Sequence, residues 1–414
     1  MKNFFRTLIP SSVLDLYHGA WAHGSAWWFG YPSKQLVVIG VTGTKGKSSV
    51  AEMMATILRG AGKKVALAST IHFVVNEDER PNLYKMSMPG RGRLQKFLRD
   101  AHDAGCTHVV LEMTSEGVLQ HRHVGIELDA LIFTNLAPEH IERHGSFEKY
   151  ADAKLEIARS LARSSKRPRI IVANTDDAYG EKFLSVGVDT ALPYSAHDAE
   201  PYSTDEASAR FVWHGTTFVV PLPGMFNLYN ALAALTAGKA LGIDIDVMKR
   251  ALEHMPTIAG RAERVEAGQP FSVVVDYAHT PDSLKALYET YKNHRLICVL
   301  GATGGGRDIW KRPEMGKVAD AYCSVAILTD DDPYNEDSES IIADIAKGFS
   351  THTPLRIVDR RAAIAAAFSE AKPGDAVLIT GKGTDPYLML AHGKKMPWSD
   401  KKVATEELAK LGYN

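Results

Sequence analysis

Two α/β units, each built on a mostly parallel sheet, are predicted for this chain by three observations. Short apolar or β-branched runs alternate with helical stretches from Leu36 onward, the pattern of strands joined by crossover helices. The first run, 36–39, passes through a glycine turn directly into a helix-forming stretch. The chain also has 414 residues, more than one ordinary core accommodates. These readings divide it into a short aromatic segment (1–35), a central parallel-sheet domain (36–257) and a doubly wound, Rossmann-like domain (258–414).

The stretch LVVIGVTGTKGKSSVAEMMA, 36–55, justifies the first strand, turn and helix. Its apolar start suits a buried strand, Gly40 and Gly43 permit tight turns, and helical composition begins at Ser48. Gly43, Thr44, Gly46, Lys47, Ser48 and Ser49 then gather at a helix N-terminus. Backbone N–H groups and the helix dipole favour a polyphosphate there; Lys47 reaches its terminal phosphates and the Ser48 hydroxyl can ligate magnesium, so ATP is the expected guest. The standard phosphate-loop pattern wants a glycine where this chain has Val41, so the first glycine sits one place early.

KKVALAST supplies the next strand, followed by a polar loop at 76–81. GRGRLQKFLRDAHDAG reads as a helix, and THVVLEMTS as a buried strand whose polar end carries Glu112, Thr114 and Ser115. Strand ends are where open α/β sheets keep their chemistry. ELDALIFTNL, a helix over SFEKYADAKLEIARSLA and the strand RPRIIVANTDD continue the alternation; 187–223 is β-rich, and PGMFNLYNALAALTAGKALG is a helix before the boundary. SVVVDYAHTPDSLKALYETY and RLICVLGATGGG open the second unit with two strand-to-helix transitions, and SVAILTDDDP, LRIVD and DAVLITGKG continue its strands.

Lysine plus arginine (48) balance aspartate plus glutamate (49), so no global field favours nucleic acid or an acidic membrane. Cys106, Cys298 and Cys323 are odd in number and far apart, which predicts reduced thiols in a cytoplasm rather than a disulfide framework. The N-terminal stretch is rich in Phe4, Phe5, Leu8, Ile9, Trp21, Trp27, Trp28 and Phe29, yet it has no compact apolar run with a small-residue cleavage site as a signal peptide would, and Pro10, Asp15, His18 and His23 disfavour a membrane span. It is expected to pack on the next domain, with contact of 4–29 with a membrane surface as the alternative.

Ser48 and Glu112 form one candidate magnesium group, since that ion prefers hydroxyl, carboxylate and phosphate oxygens. His140 and Lys154 lie in TNLAPEHIERHGSFEKYADAK. Composition alone makes them an ordinary surface histidine and helix lysine.

GVTGTKGKSS, EMTSEGVLQHR, TNLAPEHIERHGSFEKYADAK, PGMFNLYNALAA, AGRAERV, VVDYAHTPDSL, GATGGGRDIWKRPEMG, DDDPYNED and ITGKG follow one another in this order. The chain from Leu36 to the end thereby resembles the Mur ligases, ATP-dependent amide-forming enzymes of cell-wall peptide synthesis, and most closely their third-residue-adding branch. The resemblance implies that Lys47 contacts the γ-phosphate, that Ser48 and Glu112 hold one magnesium, and that a carbamylated Lys154 helps His140 and Glu112 hold a second. It implies that Asn227 and Asn230 lie beside adenine, and that Arg261, Asp276, Tyr277 and His279 close over the nucleotide. Ser87, Ser115, Gln120 and Arg122 match contacts to a nucleotide-linked muramoyl peptide; Arg307, Asp331, Asp332, Tyr334, Gly381 and Asp385 match the pocket for the added amino acid. The implied protein is a cytoplasmic monomer acting on small molecules.

Departures from the family pattern bear on substrate. Asp331-Asp332-Pro333-Tyr334 stands where an Asp-Asn-Pro-Arg motif selects diaminopimelate, and Gly381-Lys382-Gly383-Thr384-Asp385 where the family has Gly-Lys-Gly-His-Glu. A tyrosine offers no bidentate cationic fork and Asp332 adds negative charge, which favours lysine or ornithine; alternatively both loops are variable turns for which Arg360 or Arg361 compensates. Ser87-Met88-Pro89 replaces Thr-Thr-Pro. Relatives carry a full domain before the phosphate loop, whereas the segment here is too short for an independent fold. The rival readings are a related ligase on another γ-glutamyl or lipid-linked acceptor, a regulatory ATPase that does not ligate, and a membrane-recruited scaffold.

Overall fold

The computed structural model describes residues 11–139 and 141–413. His140 and residues 1–10 of the aromatic segment lie outside them. The chain enters through helix α1 (Ser11–Trp28), whose Ala22 and Ala26 are buried while Trp21, Trp27 and Trp28 stay 56, 69 and 76% exposed.

Strand β1 (Val37–Thr42) leads into helix α2 (Lys47–Gly60), followed by β2 (Val65–Ala68), β3 (His72–Val75) and β4 (Asp78–Pro81). Residues 76–81, expected as a loop, are therefore a turn and the outermost strand of the sheet. All of β4 is exposed, so it carries none of the apolar alternation that marks a strand in sequence, and Asn76 takes the left-handed turn position at φ 55°. Helix α3 (Arg91–Asp103), β5 (His108–Glu112), helix α4 (Ser115–Leu119), β6 (Ala130–Phe133), helix α5 (Phe147–Ala162), β7 (Ile170–Asn174) and β8 (Thr190–Tyr194) complete the first sheet. Its eight strands run in the order β4-β3-β2-β5-β1-β6-β7-β8, parallel except across the β2-β3-β4 meander. Strand order reverses at β1, which lies between β5 and β6. A crevice opens at the carboxyl ends of strands at such a point.

A small antiparallel sheet of β9 (Tyr202–Thr204), β10 (Ala209–Trp213) and β11 (Thr216–Val220) precedes helix α6 (Met225–Ala240) and helix α7 (Ile245–Glu253), the latter not expected from the sequence pattern. Asp244 caps α7, accepting from the amides of Asp246 and Val247. Val50, Met53, Met54 and Ile57 of α2 and Leu228, Leu232 and Leu235 of α6 are all fully buried on one face of the sheet. Each such side chain contributes roughly 1.5–3 kcal/mol by leaving water, so the helix behind the glycine turn is anchored rigidly.

The second sheet contains β12 (Glu263–Arg264), β13 (Ser272–Asp276), β14 (Leu296–Leu300), β15 (Val325–Leu328), β16 (Leu355–Arg356) and β17 (Ala376–Thr380), in the order β12-β13-β17-β14-β15-β16. Only the β12–β13 pair is antiparallel. Apolar clusters cover both faces, as a doubly wound sheet requires.

The expectation of reduced thiols is corrected here: Cys298 and Cys323 form a disulfide, with Cα atoms 6.0 Å apart, while Cys106 is free and buried. The 25-residue separation in sequence hides their proximity. Cys298 lies on β14, and Cys323 ends the helix that feeds the adjacent strand β15.

Candidate active site

The turn after β1 is shaped by two glycines that no other residue could replace without displacement. A Cβ on Gly43 (φ 145°) would lie 1.9 Å from Thr134 Oγ1, and one on Gly46 (φ 82°) 2.4 Å from Asn230 Oδ1. The early glycine, Gly40, is required by packing instead, since a Cβ there would meet Met113 Sδ at 2.8 Å and Leu131 at 3.1 Å. Val41, in place of the usual glycine, is a fully buried strand residue paired with Glu112. The loop is held from β6: the Thr44 amide donates to the Asn135 carbonyl (2.8 Å) and the Lys45 amide to Asn135 Oδ1 (2.9 Å). Thr134 Oγ1 donates to the Lys45 carbonyl (2.6 Å). Ser49, in the first turn of α2, is buried behind the loop.

Around this turn the structure gathers the predicted charged groups. Lys47 Nζ folds back onto the carbonyls of Gly43 (3.1 Å) and Thr44 (2.9 Å), and burial lowers its pKa against the pull of Glu112 and Glu139. Ser48 Oγ donates to Glu112 Oε2 at 3.0 Å. Glu112 is also held by the Thr70 amide (2.8 Å) and hydroxyl (2.9 Å). Thr70 is not among the residues expected from sequence, because it follows a strand of no distinctive chemistry. Lys154 is 2% exposed, donates to the Gly43 carbonyl at 2.6 Å, and lies 4.9 Å from the ring centre of Tyr150. Burial first, and then the Lys47 ammonium, hold its pKa well below that of an ordinary lysine.

A hydroxyl and a carboxylate, both buried and 3.0 Å apart, are a donor pair suited to a hard divalent cation. Among the described residues no three histidine, cysteine, aspartate or glutamate side chains cluster as a ready metal cage. Such a pair suits an ion completed by phosphate and water.

The second unit reaches this crevice through Arg261 and His279. Arg261 Nη2 donates to Ser48 Oγ at 3.1 Å and stacks 4.3 Å from the Tyr277 ring centre. His279 Nε2 lies 2.8 Å from Glu139 Oε1, which Lys45 Nζ also approaches at 3.1 Å. Burial pushes His279 down to about 4. Glu139 is likewise absent from the residues expected from sequence, although it neighbours His140 in the motif. Asp276 is bonded to the amides of Ala262 and Ala278 at 2.6 Å each, which makes it the brace of the Arg261 and Tyr277 turns. Asn227 Nδ2 donates to the Pro223 carbonyl (2.8 Å), and Asn230 Nδ2 to Asn227 Oδ1 (3.1 Å), leaving Asn230 Oδ1 directly over Gly46.

A separate group forms beside α4. Arg122 Nη2 donates to Gln120 Oε1 at 2.6 Å, while Nη1 donates to the Met88 carbonyl. Ser87 and Ser115 are both buried.

The remaining predicted residues gather around an ion-paired acidic cluster in the second unit, the candidate pocket for the added amino acid. Lys382, fully buried, places its Nζ 2.7 Å from Asp332, 3.3 Å from Asp385 and 3.5 Å from Asp331. Burial would lower the Lys382 pKa, but the three aspartates reverse that and raise it. A Cβ on Gly381 would lie 2.9 Å from Asp331 Oδ2. Lys85, from the loop after β4, enters from the other unit and lies 2.5 Å from Asp332 and 2.8 Å from Asp385. Arg307 stacks on Tyr334 at 4.9 Å. Neither candidate substitute arginine is available: Arg360 is buried on Asp400 (2.7 Å) and Arg361 is paired with Glu406 and Glu407.

Residues 41–238 match the Mur ligase middle domain and residues 260–383 the Mur ligase, glutamate ligase domain. The chain is 36% identical to a UDP-N-acetylmuramyl-tripeptide synthetase of Roseiflexus sp. (strain RS-1), over 99% of this chain and 85% of that protein. It is 33% identical to the UDP-N-acetylmuramoyl-L-alanyl-D-glutamate–L-lysine ligase of Staphylococcus aureus (strain bovine RF122 / ET3-1), over 91% and 78%. A solved UDP-N-acetylmuramoyl-L-alanyl-D-glutamate–2,6-diaminopimelate ligase superposes with a TM-score of 0.60 at 30% identity, covering 92% of this chain and 79% of that one. With its cradle, its second doubly wound unit and these relatives, the chain belongs to the Mur ligase family, the ATP-dependent ligases that form amide bonds in peptidoglycan precursors.

Proposed function

We propose that this ligase adds a basic amino acid, lysine or ornithine, to UDP-N-acetylmuramoyl-L-alanyl-D-glutamate in the cytoplasm, with 36–257 as the ATP-binding domain and 258–414 as the amino-acid-binding domain. The observation that carries the choice of amino acid is the convergence of buried Asp331 and Asp332 with part-buried Asp385 in one cluster. Three carboxylates outnumber the two ammonium groups of Lys382 and Lys85, an excess of negative charge that favours a cationic side chain and disfavours the distal carboxylate of diaminopimelate.

In this reading the acceptor carboxylate takes the γ-phosphoryl group of ATP, releasing ADP. The amine of the amino acid then attacks the acyl phosphate, and phosphate leaves. Lys47 stabilises charge at the γ-phosphate, and the cradle amides hold the chain of phosphates. Asn227 and Asn230 flank the adenine; Arg261, Tyr277 and His279 close the crevice and keep water from the acyl phosphate. Ser87, Ser115, Gln120 and Arg122 hold the muramoyl peptide. Ser48 and Glu112 would hold one magnesium, and Glu112, His140 and Lys154 a second; magnesium supplies neutralisation of phosphate oxygens.

Carbamylation of Lys154 is supported by its burial beside the phosphate loop and by the downward shift of its pKa, which favours the uncharged amine that adds carbon dioxide. The Lys154→Ala variant is expected to lose activity and regain part of it with added short carboxylates; undiminished activity without them would remove Lys154 from the site. Contact of α1 with a membrane surface is supported by its three exposed tryptophans, and failure of the chain to co-sediment with liposomes would remove it.

The main test is phosphate release from ATP with the muramoyl dipeptide acceptor, screened over lysine, ornithine, diaminopimelate and neutral amino acids. Release that needs a basic amino acid is expected. Release independent of any amine would overturn the ligation chemistry in favour of simple ATP hydrolysis.

A further inference from the structure

We propose that Lys85 determines amino-acid specificity by occupying the ammonium subsite of the acidic pocket in advance, and that the side-chain ammonium of the incoming amino acid takes its place. This inference rests on the reading of Asp331, Asp332 and Asp385 as the side-chain pocket.

The two lysines in the pocket are not equivalent. Lys382 belongs to the pocket's own unit, is fully buried, and is fixed by all three aspartates. Lys85 reaches in from the first unit, with 15% of its side chain exposed. It also stands at φ 53°, a left-handed conformation that costs a non-glycine residue roughly 1–2 kcal/mol. The loop is pinned by Asn82 Nδ2, which donates to the carbonyls of Ser69 (2.8 Å) and Met86 (3.1 Å). The strained residue is thus held where its ammonium reaches the carboxylates.

Exchange follows from which oxygens remain. Asp332 Oδ1 already accepts from Lys382 Nζ and from the Met389 amide (2.9 Å), and Lys382 Nζ makes a longer contact of 3.3 Å with Asp385 Oδ2. The Oδ2 atoms of Asp332 and Asp385 are the pair that Lys85 spans. A substrate ammonium that bridges Asp332 and Asp385 on the side away from Lys382 uses the same pair, and a third ammonium beside Lys85 and Lys382 would be in close like-charge contact. The same loop carries Ser87 and the Met88 carbonyl bound by Arg122. Release of Lys85 would therefore couple arrival of the amino acid to the side of the crevice proposed for the acceptor.

An occupied subsite weakens apparent affinity by the fraction of time it is free. The Lys85→Met variant is therefore expected to lower the KM for lysine by about tenfold if Lys85 holds the subsite nine-tenths of the time, leaving KM for ATP and for norleucine, which has lysine's four-carbon side chain without the ammonium, within about twofold. Lys85→Arg, which keeps the charge and grips carboxylates more firmly, should raise the KM for lysine severalfold. Calorimetric titration with 1,5-diaminopentane, without ATP, provides a second readout: binding should tighten in Lys85→Met and weaken in Lys85→Arg. If wild-type enzyme uses lysine but Lys85→Met leaves its KM and diamine binding unchanged or worse, Lys85 is only a clamp and the inference falls. If wild-type enzyme uses no basic amino acid, the reading of the pocket falls first and takes this inference with it.

Discussion

The phosphate cradle and the acidic pocket are both buried and charged, yet they are built in opposite ways. The cradle is nearly contiguous: Gly43 to Ser48 lie in one turn, and the partners from β5 and β6 come to it at strand ends. The pocket is assembled from Lys85, Asp331, Asp332, Lys382 and Asp385, drawn from both units and separated by up to 300 residues in sequence. A site made of backbone amides and one helix end tolerates little change in sequence. A site made of side chains can change its ligand by exchanging one or two of them, and its chemistry is correspondingly harder to read from a single chain.

The sharpest way to break the comparison is at the cradle. Lys47→Ala should reduce kcat/KM by about a thousandfold or more, as expected for loss of a preorganised charge at a reacting phosphate, with the melting temperature little changed. A loss below tenfold in steady-state phosphate release would show that Lys47 does not reach the reacting group. Gly46→Ala should destabilise the cradle by about 3 kcal/mol, from the left-handed φ and the contact with Asn230. Adding Asn230→Ala should recover the steric part of that loss in thermal unfolding; no recovery would mean the clash is relieved elsewhere.

At the pocket the effects should be smaller and selective. Asp332→Asn should reduce the preference for lysine over norleucine in kcat/KM by roughly 10- to 100-fold, while ATP turnover with hydroxylamine as the attacking amine persists. Equal loss for both amino acids would mean that Asp332 acts through folding rather than recognition.

The smallest effect is expected outside both sites. His123 is 7% exposed and burial lowers its pKa to about 4. A histidine kept neutral by the fold gives the unfolded chain the greater proton affinity, so its contribution is present above pH ~6.5 and is lost as pH falls toward about 4. His123→Gln should flatten the melting temperature across that window. An unchanged slope would assign the acid sensitivity to other groups.

Much of the fold was legible because its signals are local. The run into Gly43, Gly46 and Lys47, the strand carrying Glu112, and the helix carrying Lys154 each have a periodicity or a motif. The exposed edge strand β4, the capped helix α7 and the Cys298–Cys323 bond were not legible. An exposed strand has no apolar period, a short helix of mixed composition depends on its cap, and a disulfide depends on which strands are neighbours.

Sequence alone placed a phosphate loop after the first strand and Glu112 at a later strand end, and it carried a resemblance to amide-forming ligases; only that resemblance implied Lys154 as a further partner of the loop. Backbone sterics and the 3.6-residue period act over a few residues, so they are written locally. Only the tertiary structure decided that Glu139 meets His279, that Thr70 completes the hold on Glu112, and that Lys85 crosses between units to sit on Asp332 and Asp385. Such electrostatic partnerships depend on distances through space, which strand order and packing set.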